Sequence, residues 1–145
     1  MPLERCIAEL QAYERSIEPN RVDPDAIAAS YRQRLVTQCH GCAGRIFVAE
    51  LRGEVVGFVC VLAHVSSEDP IEKDPEHAYI PDLVVMPEHR GAGVGRALLA
   101  AAETYAVSEG ARVLEVDVLA ANTIARKLYA TLGFREAEIR LSKEI

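Results

Sequence analysis

Leu83-Val84-Val85-Met86-Pro87-Glu88-His89-Arg90-Gly91-Ala92-Gly93-Val94-Gly95-Arg96-Ala97-Leu98-Leu99 is the stretch whose reading decides the fold. A β-branched run enters a proline-led turn, three alternating glycines follow, and an amphipathic helix begins. The first turn of a helix leaves backbone N–H groups unpaired and carries the positive end of the helix dipole. Glycines let anionic oxygens approach that backbone with no Cβ in the way. Arg90 and Arg96 add charge-assisted donors. This chemistry suits a dianionic group such as a pyrophosphate. A P-loop needs Gly-Lys-Ser or Gly-Lys-Thr at its end, whereas Gly95 is followed by Arg96 and Ala97, which excludes it. A dinucleotide fold needs G-x-G-x-x-G tight against the strand and an acid about twenty residues on. Glu115 and Asp117 meet the second demand. The G-x-G-x-G spacing, the intervening Pro87 to Arg90 and an antiparallel hairpin upstream count against the first.

Working outward, the helix that opens at Gly93 runs to Ser108 with Val94, Ala97, Leu98, Ala101 and Tyr105 on one face, and Gly110 stops it. Arg112 to Leu119 alternates apolar and acidic residues, the mark of a strand with one wet face. Residues 122–131 read as a short helix, Gly133 as a turn and Phe134 to Leu141 as a last strand. Upstream, Tyr79 to Met86 is a strand interrupted by Pro81, whose missing N–H predicts an edge, a bulge or a splay. Residues 65–76 form an acidic loop. Ile46 to Leu51 and Val55 to Leu62 flank Arg52-Gly53 as a β-hairpin. Residues 3–17 repeat apolar side chains at helical spacing. A second helix starts at Asp23-Pro24, after a stop at Pro19, and carries Ile27, Tyr31 and Leu35 to about residue 38. The expected order is ααβββαβαβ, an α/β mixed sheet in a single domain over residues 1–145.

The 145 residues are 50% hydrophobic and 26% charged, the profile of one globular domain. Sixteen basic against 22 acidic side chains give a net charge of −6. With no basic stripe, nucleic acid is excluded as a partner, and a cationic acceptor is weakly favoured. No apolar run suits a bilayer and no signal-peptide layout opens the chain, so no membrane is implied and a cytoplasmic address is expected. Cysteines stand at 6, 39, 42 and 60. Cys39-His40-Gly41-Cys42 lacks a second ligand pair and follows a helix, so no metal site is expected, and Cys60 reads as a buried thiol.

A second motif lies downstream. Asn122-Thr-Ile-Ala125-Arg126-Lys-Leu128-Tyr129-Ala-Thr-Leu132-Gly133-Phe134 resembles the N-x-x-A-x-x-L-Y-x-x-L-G-F stretch of the GCN5-related N-acetyltransferase (GNAT) family. Arg90-x-x-Gly93-x-Gly95 resembles that family's R/Q-x-x-G-x-G/A signature, which wraps the pyrophosphate of acetyl-CoA. The resemblance covers about residues 45–141. It implies acetyl transfer from acetyl-CoA to a primary amine, on a small molecule or a protein, by direct attack in a ternary complex. The backbone of Leu83, Val84 and Val85 would pair with the pantetheine amides. The loop Arg90, Gly91, Ala92, Gly93, Val94, Gly95 and Arg96 would hold the pyrophosphate. Asn122 would bond the pantetheine arm, and Arg126 would face the ribose phosphate or stand in solvent.

Tyr129 is the implied general acid, a phenol that can protonate the departing thiolate. The base stays open. Relatives place a glutamate where this chain has Pro81. Asp82 is adjacent but points to the other face of a regular strand, and His64 and His77 would face each other at the end of the hairpin. Pro81 also leaves room for a CoA-binding sensor that has no turnover. Family members usually open with a strand that is missing here, through a misplaced start or a lost edge strand. Such a loss would expose the 45–51 strand, and a homodimer would cover it.

Overall fold

Apolar residues at 3, 6, 7 and 10 form one stripe of the first helix, α1 (Pro2–Ile17), which buries Cys6, Ile7 and Gln11. The computed structural model describes the chain except residues 1, 19, 21–22, 69 and 72–75. The expected stop at Pro19 falls outside the described residues. The second helix, α2 (Pro24–Gly41), starts at the expected proline, whose missing N–H costs nothing in a first turn. It runs past residue 38, so Cys39 sits on its last turn with Sγ 3.6 Å from Cys60 Sγ. All four cysteines are free thiols. No helix among the described residues is long and apolar enough to cross a membrane.

The sheet runs β1-β2-β3-β4. Strands β1 (Gly44–Leu51) and β2 (Glu54–Ser66) make the expected hairpin around Arg52-Gly53. β3 (Glu76–Val85) lies antiparallel to β2, and β4 (Leu114–Val116) lies parallel to β3. Val56 to Ala63 are buried without interruption because β2 is covered on both faces. Phe58, Cys60 and Leu62 face α1 and α2. Val59 and Val61 face the helix α3 (Val94–Ser108), with Leu98, Leu99, Ala102 and Ala106, and the helix α4 (Thr123–Thr131), with Tyr129. β1 is an edge of this sheet, with Val48 and Leu51 each about half exposed.

Four expectations need correction. Val65 pairs with His77 and Ser66 with Glu76, so the ladder continues into the span expected as loop. Of the strand expected over 112–119, only Leu114–Val116 forms. Its partner β3 offers Ala78 to Ile80 and then reaches Pro81, which has no N–H to donate. The last strand, expected over 134–141, is absent, so the observed order is ααβββαβα. A three-residue β4 provides too short a ladder to recruit it, and residues 135–145 are all exposed. Finally, Met86 lies outside β3 and leads into a 3-10 turn over Pro87–His89.

Gly57 marks a tight approach of β2 to β3, because a Cβ there would lie 2.6 Å from the Val84 carbonyl oxygen. Gly57→Ala should therefore cost about 1–3 kcal/mol of unfolding free energy. Urea denaturation gives the value, and an unchanged midpoint would show that β2 and β3 can separate freely at this point.

Candidate active site

Proline 81 shapes the site. Cys60 pairs with Asp82 and Leu62 with Tyr79, so Ile80 and Pro81 together oppose Val61 in a β-bulge. The bulge resets the side-chain alternation and turns Asp82 onto the α2 face, beside Cys60. The β3–β4 ladder ends at Ile80–Val116. Beyond it, no described strand lies beside β3 on that side. Leu83, Val84 and Val85 sit on this freed stretch, with Val84 buried and its neighbours half-buried.

Asp82 is 6% exposed, and Tyr31 donates its hydroxyl to the two carboxyl oxygens at 3.2 and 3.0 Å. Burial pushes the Asp82 carboxyl up to about 7, and nearby Glu14 adds to the rise. The Tyr31 hydrogen bond and Arg34 oppose it. Tyr129 is buried in the α3–α4 layer, its ring centroid 5.4 Å from that of Phe134. Burial pushes its phenol up to about 12, and the charges of Asp82 and Glu14 push the same way. Asp82 and Tyr129 belong to opposite faces of the sheet, and the Asp82 charge still acts on the Tyr129 phenol.

The glycine loop sits directly after the freed edge. Gly91 and Gly93 have φ of 77° and 87°, which a residue with a Cβ adopts only under strain. No side chain caps α3, whose first intrahelical bond runs from the Ala97 N–H to the Gly93 carbonyl. Gly91, Ala92, Gly93 and Arg96 are exposed, and a Cβ on Gly91 or Gly93 would meet nothing within 4 Å. Gly95 and Val94 are half-buried. A Cβ at 95 would come within 3.3 Å of Leu128 Cδ2, so this glycine lets α3 pack against α4. An exposed, uncapped helix start carrying Arg96 fits a phosphate.

Other expected residues have different employment. Arg90 folds back, donating from Nε to the Val85 carbonyl at 2.9 Å and reaching Glu9 of α1 at 3.4 Å. Its side chain ties α1 to the loop. The Asn122 side chain caps α4 by accepting from the Ala125 N–H at 3.1 Å. Arg126 is paired within the chain, to the Ala120 carbonyl at 3.0 Å and to Glu136. His64 is bonded to Glu76, which raises its proton affinity, and also faces Glu109; His77 Nε2 lies 3.2 Å from Glu115. Both histidines lie at the other end of the hairpin from Asp82. Among the described residues no cluster suits a metal ion.

Tyr31 reaches Asp82 from α2, and Tyr79 lies nearby on β3, although the sequence marked neither as a site residue. Tyr79 donates to Asp117 Oδ2 at 2.8 Å, across the β3–β4 pair. Tyr31 falls on the core-facing stripe of α2, where spacing shows an apolar ring and conceals the polar tip.

A family model described as the acetyltransferase (GNAT) family matches residues 7–134. An uncharacterised N-acetyltransferase of Methanocaldococcus jannaschii is 42% identical over 94 residues, covering 64% of this chain and 40% of that protein. The matches span 40%, 51% and 61% of the length of three such curated relatives. The crystal structure of a GCN5-related N-acetyltransferase from Ralstonia eutropha superposes with a TM-score of 0.72 at 21% identity, covering 99% of this chain and 90% of that one. The aminoglycoside N-acetyltransferase AAC(6')-Iy in complex with CoA gives a TM-score of 0.64 at 20% identity, covering 83% of this chain and 94% of that one.

Folding raises the Asp82 pKa to about 7, so the folded chain holds this proton more tightly than the unfolded chain does. The stabilising contribution is present in full below the ordinary carboxylate range and disappears as pH rises toward about 7. Urea unfolding from pH 5 to 8 should therefore show the native protein losing stability relative to Asp82→Asn. A difference that stays constant with pH would contradict this.

Proposed function

The chain belongs to the acetyltransferase (GNAT) family, and from that we propose that residues 1–145 form one domain that transfers an acetyl group from acetyl-CoA to a primary amine. The observation that supports the reading is the parting of β3 from β4 at Pro81, with the buried Asp82 next in the strand and the uncapped start of α3 after the freed stretch.

Acetyl-CoA supplies an activated thioester carbonyl for the amine to attack. The chain's residues bind and move protons. The free side of Leu83 to Val85 offers backbone groups to the pantetheine amides, as an added strand does. The N–H groups at the start of α3, with Gly91, Gly93 and the Arg96 side chain, take the pyrophosphate. Asn122 keeps its amide N–H groups for the pantetheine arm while its oxygen caps α4. Arg90 and Arg126 are bound within the chain and contribute through loop position.

Asp82 removes the ammonium proton before attack. A carboxyl near pH 7 is divided between its two forms in neutral solution, the condition in which a base is most effective. Tyr129 keeps its phenolic proton throughout the neutral range and delivers it to the departing sulfur. No covalent enzyme intermediate is needed, so the thiols have no part. The acceptor is a small-molecule or protein amine. A cytoplasmic address and a homodimer pairing through the open β1 edge belong to the same reading. Pro81, standing where an acid is usual, supports the rival reading of a CoA-binding sensor without turnover.

Calorimetry with acetyl-CoA should give binding in about the micromolar range, lost in Gly93→Asp/Gly95→Asp. Absence of binding to the native protein would overturn the proposal. In an amine panel, Tyr129→Phe should lower kcat by about 10²–10⁴-fold while leaving acetyl-CoA affinity unchanged. Tight binding with no turnover on any amine would favour the sensor.

A further inference from the structure

We infer that Tyr31, from α2, is a positioning residue whose hydroxyl holds the Asp82 carboxylate in place and tunes how readily it takes a proton. This rests on the proposed role of Asp82 as the base. The inference begins with geometry. One hydroxyl spans both carboxyl oxygens, at 3.2 and 3.0 Å, so the plane of the carboxylate is held as well as its location. Ala28 and Leu35, one turn to either side on the same helix, are buried against the sheet and hold Tyr31 in register. The Pro81 bulge presents Asp82 to that helix face and not to the opposite one.

The surroundings of Asp82 make the hydroxyl matter. Cys60 stands opposite it on β2 as a neutral thiol whose own ionisation burial disfavours. Tyr79 on β3 and Tyr129 on α4 keep their protons, both pushed upward by burial first. Glu14 on α1 raises the proton affinity of Asp82, while Arg34 on α2 lowers it. Tyr31 is the side chain that donates a hydrogen bond to the carboxylate, and it opposes the desolvation that would otherwise keep Asp82 protonated and inert as a base.

A residue that only packed α2 against the sheet would be replaced well by phenylalanine. A tuning hydroxyl would not. Removing a hydrogen bond to a charged group shifts its ionisation by at least about one pKa unit. Tyr31→Phe should therefore move the acidic limb of the kcat/KM profile to higher pH. Activity at pH 7 should fall by about tenfold and recover in alkaline solution, with KM for acetyl-CoA unchanged. Placing 3-fluorotyrosine at position 31 strengthens the donor with almost no change in shape, and should move the limb to lower pH. Opposite displacements establish the role, and the fluorinated protein decides the matter alone if the phenylalanine variant does not fold. A limb that stays in place in either folded protein would reduce Tyr31 to packing and overturn the inference. Asp82→Asn separates the two levels: if it retains the native profile, the base assignment fails and the inference falls with it. If it abolishes the limb while the Tyr31 variants leave it unmoved, only the inference fails.

Discussion

A proline that cannot donate a hydrogen bond is the constraint on which the functional part of this structure depends. Pro81 sits in a strand covered on both faces, where each backbone N–H is expected to find a partner. The chain accommodates it with a bulge on the β2 side and with the end of the β4 ladder on the other. Both adjustments serve the site. The bulge turns Asp82 toward α2, and the end of the ladder leaves Leu83 to Val85 with no described strand on the β4 side.

Burial gives the site its chemistry. A carboxyl removed from water without a cation directly bonded to it becomes a weaker acid, and here the shift brings Asp82 to the middle of the neutral range. The same removal from water fixes the Tyr129 phenol in its protonated form. Two groups with ordinary properties in solution thus hold their protons differently near neutral pH, through their surroundings alone. Fine control comes from α1 and α2 through Glu14, Tyr31 and Arg34.

The N-terminal helices therefore do more than cover the sheet. Arg90, the first residue of the loop signature, reaches α1 at Glu9 and stacks over Tyr13 with its guanidinium carbon 5.5 Å from the ring centroid. By accepting the Arg90 side chain, the Val85 carbonyl links the loop to the freed strand. One arginine thus joins the glycine loop, the strand edge and the first helix, so α1 can influence loop position.

Much of this was legible in the residues themselves. The amphipathic spacing of α1, the Arg52-Gly53 hairpin, the interruption at Pro81 and the two motifs around Gly93 and Tyr129 are local patterns, set by helix and strand periods and by glycine and proline geometry. Long-range geometry was not legible. Whether Asp82 faces α2 depends on how a bulge is divided between β2 and β3, which no single segment records. The absence of a strand over 134–141 follows from the shortness of β4, itself a consequence of Pro81 in a different strand. Tyr31 carries the same helical spacing whether its hydroxyl meets a carboxylate or solvent. The sequence by itself determined the helices, the first three strands and the two motifs, because those rest on short-range periodicity and backbone freedom. Only the tertiary structure decided that Tyr31 meets Asp82 and how burial shifts the Asp82 and Tyr129 protons, because both depend on residues distant in the chain.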